Sequence, residues 1–403
     1  MPELLIEFLS EEIPARMQAD AEAQLEARVV QALADADVTH GAVRRLSTPR
    51  RIALALSDVA AERPPRAEER KGPKVGAPEQ ALAGFLRSAG LERIEQCEVR
   101  TVGKADVYFA VKTVPGGPTR DILLDLLRGV AERFSWPKSM RWGAGRRSWV
   151  RPLKRVLCVL DGAPVTGEID YGGCLLPVGG ETEGHSFLAP RRVSPTDAAS
   201  YLNTLRDAKV LSDRSERRDR IAEGAVAAAA QAGLRLKHDP GLLDEAAGLV
   251  EWPVPLLGRI DDAFMDLPPE VLVTSMRSHQ KYFAVEDSGG GLANRFVVVA
   301  NMATADDGAA IVAGNERVLR ARLSDARFFW DQDRARPLDE RLPDLERITF
   351  HAKLGSVEDR AKRIARLSRF IADALGDPQP EWAERAGLLA KADLTTGMVG
   401  EFP

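Results

Sequence analysis

The sequence predicts an α+β, multidomain protein, with mixed sheet-and-helix domains as far as residue 303 and an almost wholly helical part after it. Three observations predict this. At 403 residues the chain is too long for one core. Short apolar or alternating segments bounded by turn residues are interleaved with helix-period segments up to Met302. From Asn315 onward apolar residues recur at helical spacing, as in Leu319, Leu323, Ala326 and Trp330. Hydrophobic residues at 44% and charged residues at 29% match a globular chain and exclude disorder throughout.

The elements follow in order. "ELLIEF" is a short apolar strand, and Pro14 opens a helix of good formers running to Asp37. "HGAVRRLS" and "RRIALALSDV" alternate as half-buried strands around a turn at Thr48-Pro49. Ala61 to Pro78, rich in Pro and charge, has almost nothing to bury and is expected to be a linker at a domain edge. A helix near Pro78 to Ala89, a hairpin of "CEVRTVG" with "VYFAVKTV", and a helix from Arg120 to Phe134 come next. "RVLCVLDGAPV" is a strand ending in an Asp-Gly hairpin turn, with "TGEIDYG" returning to make a second small sheet. Ser194 with Pro195 caps one helix, and an Ala-rich helix follows Asp213. "LLDEAAGLVEWPVPLLGRI" is a helix stopped by Trp252-Pro253 and then a strand, and "NRFVVVANM" is a buried strand. The expected divisions are 1–62, 63–149, 150–303, a helical linker 304–346, and 347–403.

No run reaches the roughly 18 apolar residues of a membrane helix, and "MPELLIEFLSEE" carries acids where a signal peptide carries Lys or Arg, so a cytoplasmic protein with no membrane partner is expected. Cys97, Cys158 and Cys174 match no metal spacing and are expected to be buried free thiols.

The sharpest feature is an island, Pro137 to Arg155, with seven Lys or Arg, Trp142 and Trp149, and no acid, in a chain of net charge -4. Unneutralised cations beside aromatic rings suit phosphate contact with base or ribose stacking. The alternative is a solvated loop whose acids come from elsewhere in the fold. A second acid-free stretch, "LVTSMRSHQKYFAV", would as a strand project Arg277, His279 and Lys281 from one face. Arg44, Arg45, Arg50 and Arg51 bracket the Thr48-Pro49 turn. Arg317, Arg320 and Arg327 line one helix, where Glu316 and Asp325 offer local ion pairs.

Tests for ordinary catalysis fail. There is no GxxxxGK[ST] loop, and "GAG" at Gly143 to Gly145 lacks the strand before it and the helix after it that a dinucleotide site needs. His40, His185, His238, His279 and His351 stand singly, and no Ser, His and acid constellation can be assembled.

"EFLSEEIPARM", "TPRRIAL", "SMRWG", "WVRPLKRVLCVLDG", "LPPEVLVTSMRSHQKYF" and "GNERVLRARLSDARFFWDQD" resemble, in that order and along essentially the whole chain, the beta subunit of bacterial heterotetrameric glycyl-tRNA synthetase. The resemblance implies an aminoacyl-tRNA ligase of alpha2 beta2 form. The alpha subunit holds the catalytic core that uses ATP and Mg, and this chain, inactive alone and without a cofactor, positions tRNA(Gly). It makes Lys138, Arg141, Trp142, Arg146, Arg147 and Arg151 candidates for tRNA contact, with Arg50, Arg51, Arg277, His279 and Lys281 weaker ones. It further implies a module like B3/B4 of phenylalanyl-tRNA synthetase over 150–303 and the start of an HD-like helical domain from residue 347, cut at Pro403, so that Leu389, Leu394, Met398 and Val399 would lack packing partners. Two departures stand out. Ser186 occupies the place of the Arg of the family's "GHRF", and Ala392 stands where the His of an HD doublet would precede Asp393. A metal-dependent HD phosphohydrolase and a purely structural subunit are the competing classes.

Overall fold

The computed structural model describes residues 2–103 and 105–401, which places the chain end at Pro403 outside the described residues. The chain forms two compact units, residues 1–214 and 215–403.

In the first unit Leu4–Ser10 is buried along its whole length. It pairs antiparallel with Arg51–Leu56 on one side and Leu153–Leu160 on the other. Val43–Thr48 extends one edge, while Leu175–Gly179, parallel to Leu153–Leu160, and then Gly167–Asp170 extend the other. The period-two alternation of the pleat divides this sheet into two packed faces. Leu4, Ile6, Phe8, Ile52, Leu54 and Leu56 meet the helices Ala15–Asp35 and Leu123–Arg133. Leu5, Ala53, Ala55, Leu157 and Val159 meet the helix Ala198–Asp207 through Tyr201 and Leu205. A strand buried on both sides reads as a continuous apolar run, which is why "ELLIEF" is apolar throughout except for its acids.

One of those acids, Glu7, is wholly buried. Tyr201 Oη donates to Glu7 Oε2 and Thr182 Oγ1 to Glu7 Oε1, each at 2.5 Å. Arg51 Nη1 lies 3.7 Å from Glu7 Oε2, and neither side chain reaches solvent.

This topology corrects several expectations. The boundary at residue 150 falls inside one sheet, because Leu153–Leu160 lies against Leu4–Ser10. The Asp161-Gly162 turn forms, both residues having positive φ, but only Ala163–Pro164 returns from it; "TGEID" pairs with Leu175–Gly179 instead. The expected linker contains the strand Arg66–Lys74, which joins Ala105–Val114 and Glu98–Val102 in a three-stranded antiparallel sheet. Its charges are accommodated at the surface, where Glu69 takes both ends of the Arg100 guanidinium at 2.7 and 2.8 Å. The helix after Ser194 begins later, capped by Asp197 Oδ1 accepting from Ser200 N at 2.7 Å. The three cysteines are free, but only Cys158 is buried.

The second unit has a four-stranded antiparallel sheet in the order Arg235–Leu236, Phe283–Glu286, Leu292–Ala300, Val254–Arg259. Helices Arg214–Gln231 and Pro240–Ala247 cover one face. Ala309–Arg334 covers the other through Leu319, Leu323 and Ala326, with Trp330 half-buried beside them. The segment expected as a linker, 304–346, is therefore in large part packed onto this sheet. The last part is not all-helical, since a hairpin of Thr349–His351 with Gly355–Ser356 precedes the helices Val357–Leu375 and Pro380–Leu389. Leu389, Met398 and Val399 are half-buried and only Leu394 is exposed, with Asp333 accepting from the amides of Gly397 and Met398 at 3.0 and 2.8 Å. No described helix is long and apolar enough to cross a membrane.

Removing one partner of a buried ion pair strands the other, at a cost of about 3–5 kcal/mol. Glu7→Gln and Arg51→Met are each expected to lower the unfolding free energy by that amount, read from urea denaturation followed by Trp fluorescence. A loss under about 1 kcal/mol, the range of a surface pair, would show that the network does not hold the sheet.

Candidate nucleic-acid interface

The island is built outward from a buried ring cluster. Trp149 is wholly buried. Around it stand Phe134 at 4.7 Å, Trp136 at 5.1 Å and Phe8 at 5.8 Å between ring centroids. Tyr171 meets Trp149 edge-on at 6.4 Å, and its hydroxyl donates to Ser148 O at 3.0 Å. Burial pushes the Tyr171 phenol up to about 12, which keeps it a neutral donor. Two backbone hydrogen bonds join Met140 to Trp149, closing the loop between them. Arg146 N donates to Gly172 O at 2.8 Å, and Gly143 turns the chain at φ +56°.

The rings point inward, so the cations are left outside. Lys138, Arg141 and Arg146 are exposed, and among the described residues none has an ion-pair or hydrogen-bond partner for its side chain. Trp142 lies half-buried, stacked on Tyr171 at 6.0 Å and 27°. Three more cations of the island are neutralised from outside it: Arg147 pairs with Glu132 at 3.1 Å, Lys154 with Glu11 at 2.8 Å and Arg155 with Glu181 at 3.5 Å. Arg151 is half-buried and donates to Val150 O at 2.8 Å. Both alternatives for the island are thus realised in different parts of it. Trp149, counted with Trp142 as a stacking ring, is sequestered in the core.

The weaker candidates are placed otherwise. Arg51 is inaccessible, and Arg50, 8% exposed, donates to Glu183 and Ser186 at 2.8 Å each. Arg44 pairs with Asp213 and Arg45 with Glu26. "SMRSHQ" is no strand. Pro268-Pro269 starts a helix that continues through Ser275–Gln280 as a wide π turn and ends at Lys281, φ +60°. Arg277 and Lys281 are tied to Asp239 at 2.5 Å and Glu245 at 3.0 Å, while His279 is exposed. On the helix Ala309–Arg334, Arg320 and Arg327 pair with Asp261 and Asp266 rather than with the local acids. Asp261 and Asp266 are both held below the ordinary carboxylate range by these hydrogen bonds. Among the described residues no three of His, Cys, Asp and Glu are grouped to hold a metal ion. His351 lies on the hairpin strand and accepts from Lys353 N.

Over residues 4–403 the chain matches the sequence profile of the family described as "Glycyl-tRNA synthetase beta subunit". The chain belongs to that family. It is 52% identical to the glycine–tRNA ligase beta subunit of Rhodospirillum centenum, 49% to that of Dinoroseobacter shibae and 48% to that of Phenylobacterium zucineum, each alignment covering 100% of this chain. These alignments cover 60%, 56% and 60% of the relatives, so this beta-family chain spans a little over half the length of the curated relatives it matches. Arg191 and Arg192, which join Arg50 and the island's Lys154 around one cavity, were missed in the sequence, where their signal was the "RR" pair before Val193.

Hydrogen bonding from Arg277 holds the Asp239 carboxyl below its ordinary range, against some desolvation. A group depressed in the folded state adds stability above its unfolded value and loses it as pH falls through the folded value. In Arg277→Ala the Asp239 pKa, read by carboxyl NMR titration, is expected to rise toward the ordinary range, so that the stability this carboxylate adds at neutral pH falls and its loss on acidification shrinks with it. An unmoved titration would remove Arg277 as the cause.

Proposed function

We propose that this chain is the RNA-positioning part of a glycine–tRNA ligase and works with an alpha subunit that supplies the ATP- and Mg-using chemistry, in an alpha2 beta2 assembly that charges tRNA(Gly). Family membership and the names of its relatives support the ligase reading. The observation that carries RNA contact is the set of three unpaired, solvent-facing cations, Lys138, Arg141 and Arg146, on a loop anchored by buried rings. Such cations fix a phosphate backbone in position while carrying little sequence information. Trp142, half-buried and stacked on Tyr171, is the ring of the loop that a splayed base would meet. Net charge -4 does not oppose this, because beyond a Debye length of about 8 Å the remaining charges are screened.

Each phosphate contact contributes about one to the slope of log affinity against log salt. The triple variant Lys138→Ala, Arg141→Ala, Arg146→Ala is expected to lower the tRNA slope by about 3, read by filter binding across a salt series. Glu132→Gln, which frees Arg147, is expected to raise affinity. Unchanged slopes would favour a structural subunit whose basic loop meets protein. Glycine charging on adding the alpha subunit to the wild-type and triple-variant chains tests the ligase reading separately.

A further inference from the structure

Arg50 opens onto a cavity of about 370 Å³ within the first unit, lined also by Lys154, Glu183, Ser186, Arg191 and Arg192. Four cations face one carboxylate there. Arg50, whose side chain is 9% exposed, is fixed in the wall by its hydrogen bonds to Glu183 Oε2 and Ser186 Oγ. Burial pushes the Glu183 carboxyl up, but Arg50, Lys154 and Arg155 outweigh it and hold the group below its ordinary range. The cations therefore dominate the local field.

The wall is also rigid. Gly184 N donates to Arg191 O at 2.9 Å and Arg191 N to Ala189 O at 2.7 Å, and a Cβ on Gly184 would lie 2.4 Å from Ala189 O. The buried His185 accepts from Phe187 N and Leu188 N through Nδ1, which pins the loop from inside. Arg191 is exposed, and among the described residues its side chain has no partner. Lys154 and Arg192 pair with Glu11 and Glu181, in solvent-accessible pairs that hold little energy and yield readily to a better-placed anion.

We propose that this pocket is a phosphate-recognition site, with Lys154, Arg191 and Arg192 as donors and Arg50 as the fixed element that shapes it. With Arg50 held by Glu183 and Ser186, the unpaired Arg191 and the surface-paired Lys154 and Arg192 are placed to converge on a phosphate, whose oxygens match guanidinium forks. The phosphate belongs either to an RNA backbone or to a free polyphosphate. The RNA source rests on the function proposed above, whereas the site itself does not.

The test uses the full chain and the double variant Arg191→Ala, Arg192→Ala, both surface positions, with unchanged thermal melting as the check on folding. Inorganic pyrophosphate titrated calorimetrically is expected to bind the wild type saturably and the double variant about tenfold more weakly or worse, the loss expected for a charged hydrogen bond. Glu183→Gln is expected to tighten pyrophosphate binding. A tRNA salt slope reduced by about 2 in the double variant identifies an RNA phosphate as the occupant, and an unchanged slope with weakened pyrophosphate binding identifies a free polyphosphate. If neither ligand distinguishes the double variant from wild type, the site is overturned. The Lys138, Arg141, Arg146 variant run in parallel reports on the island alone, so failure there leaves the pocket result legible.

Discussion

A carboxylate sits at the centre of a strand that has no solvent-facing side, and the first unit is arranged around keeping it paired. An ionised group cannot enter such an interior alone. Glu7 is answered by Tyr201 from a covering helix, by Thr182 from a short hairpin and by Arg51 from the neighbouring strand. Those elements come from positions up to 194 residues apart, so the network ties distant parts of the chain to one arrangement. Its partners also lead outward. Arg51 Nη1 donates to Glu183 O at 3.0 Å, and the side chain of that same Glu183 holds Arg50 at the rim of the basic pocket. The buried pairing and the basic rim thus rest on consecutive residues, Arg51 next to Arg50 of the preceding turn and Thr182 next to Glu183 on one short strand.

The basic island follows a complementary logic. Its rings and its cations alternate along a short loop, and the core claims the rings. Phe134, Trp136 and Trp149 pack within about 5 Å of one another in offset and edge-on geometry. With the aromatic members withdrawn, Lys138, Arg141 and Arg146 have nowhere to go but solvent, while Glu132, Glu11 and Glu181 neutralise their neighbours. The charge that remains is a small, definite set rather than the seven cations of the sequence.

Much of the fold was legible from local pattern. The strands at Leu4–Ser10, Arg51–Leu56 and Leu292–Ala300 are apolar or alternating, and the Leu319 stripe lies against a sheet as its spacing requires. What was illegible depends on partners far away in sequence. Arg66–Lys74 carries no apolar signature because ladder hydrogen bonds and a cross-strand ion pair, rather than burial, account for it. "SMRSHQ" alternates like a strand, yet the preceding prolines set a helical start. The acids that neutralise Arg50 and Arg277 lie 133 and 38 residues away, beyond any window in which charge pattern can be read. The candidate contact residues were therefore legible as a class, and only the fold separated exposed from engaged members.

The backbone bridge between Met140 and Trp149 acts as a collar. Between those two positions the Arg141 and Arg146 side chains stand outside the packed interior, while Trp142 against Tyr171 and the Arg146 amide on Gly172 tie the loop down, so changes at the exposed positions need not disturb the sheet beneath. Those exposed positions can drift: descendants of one ancestral chain can change the surface charge there at little risk to folding, while the tryptophan that closes the collar stays committed to the interior.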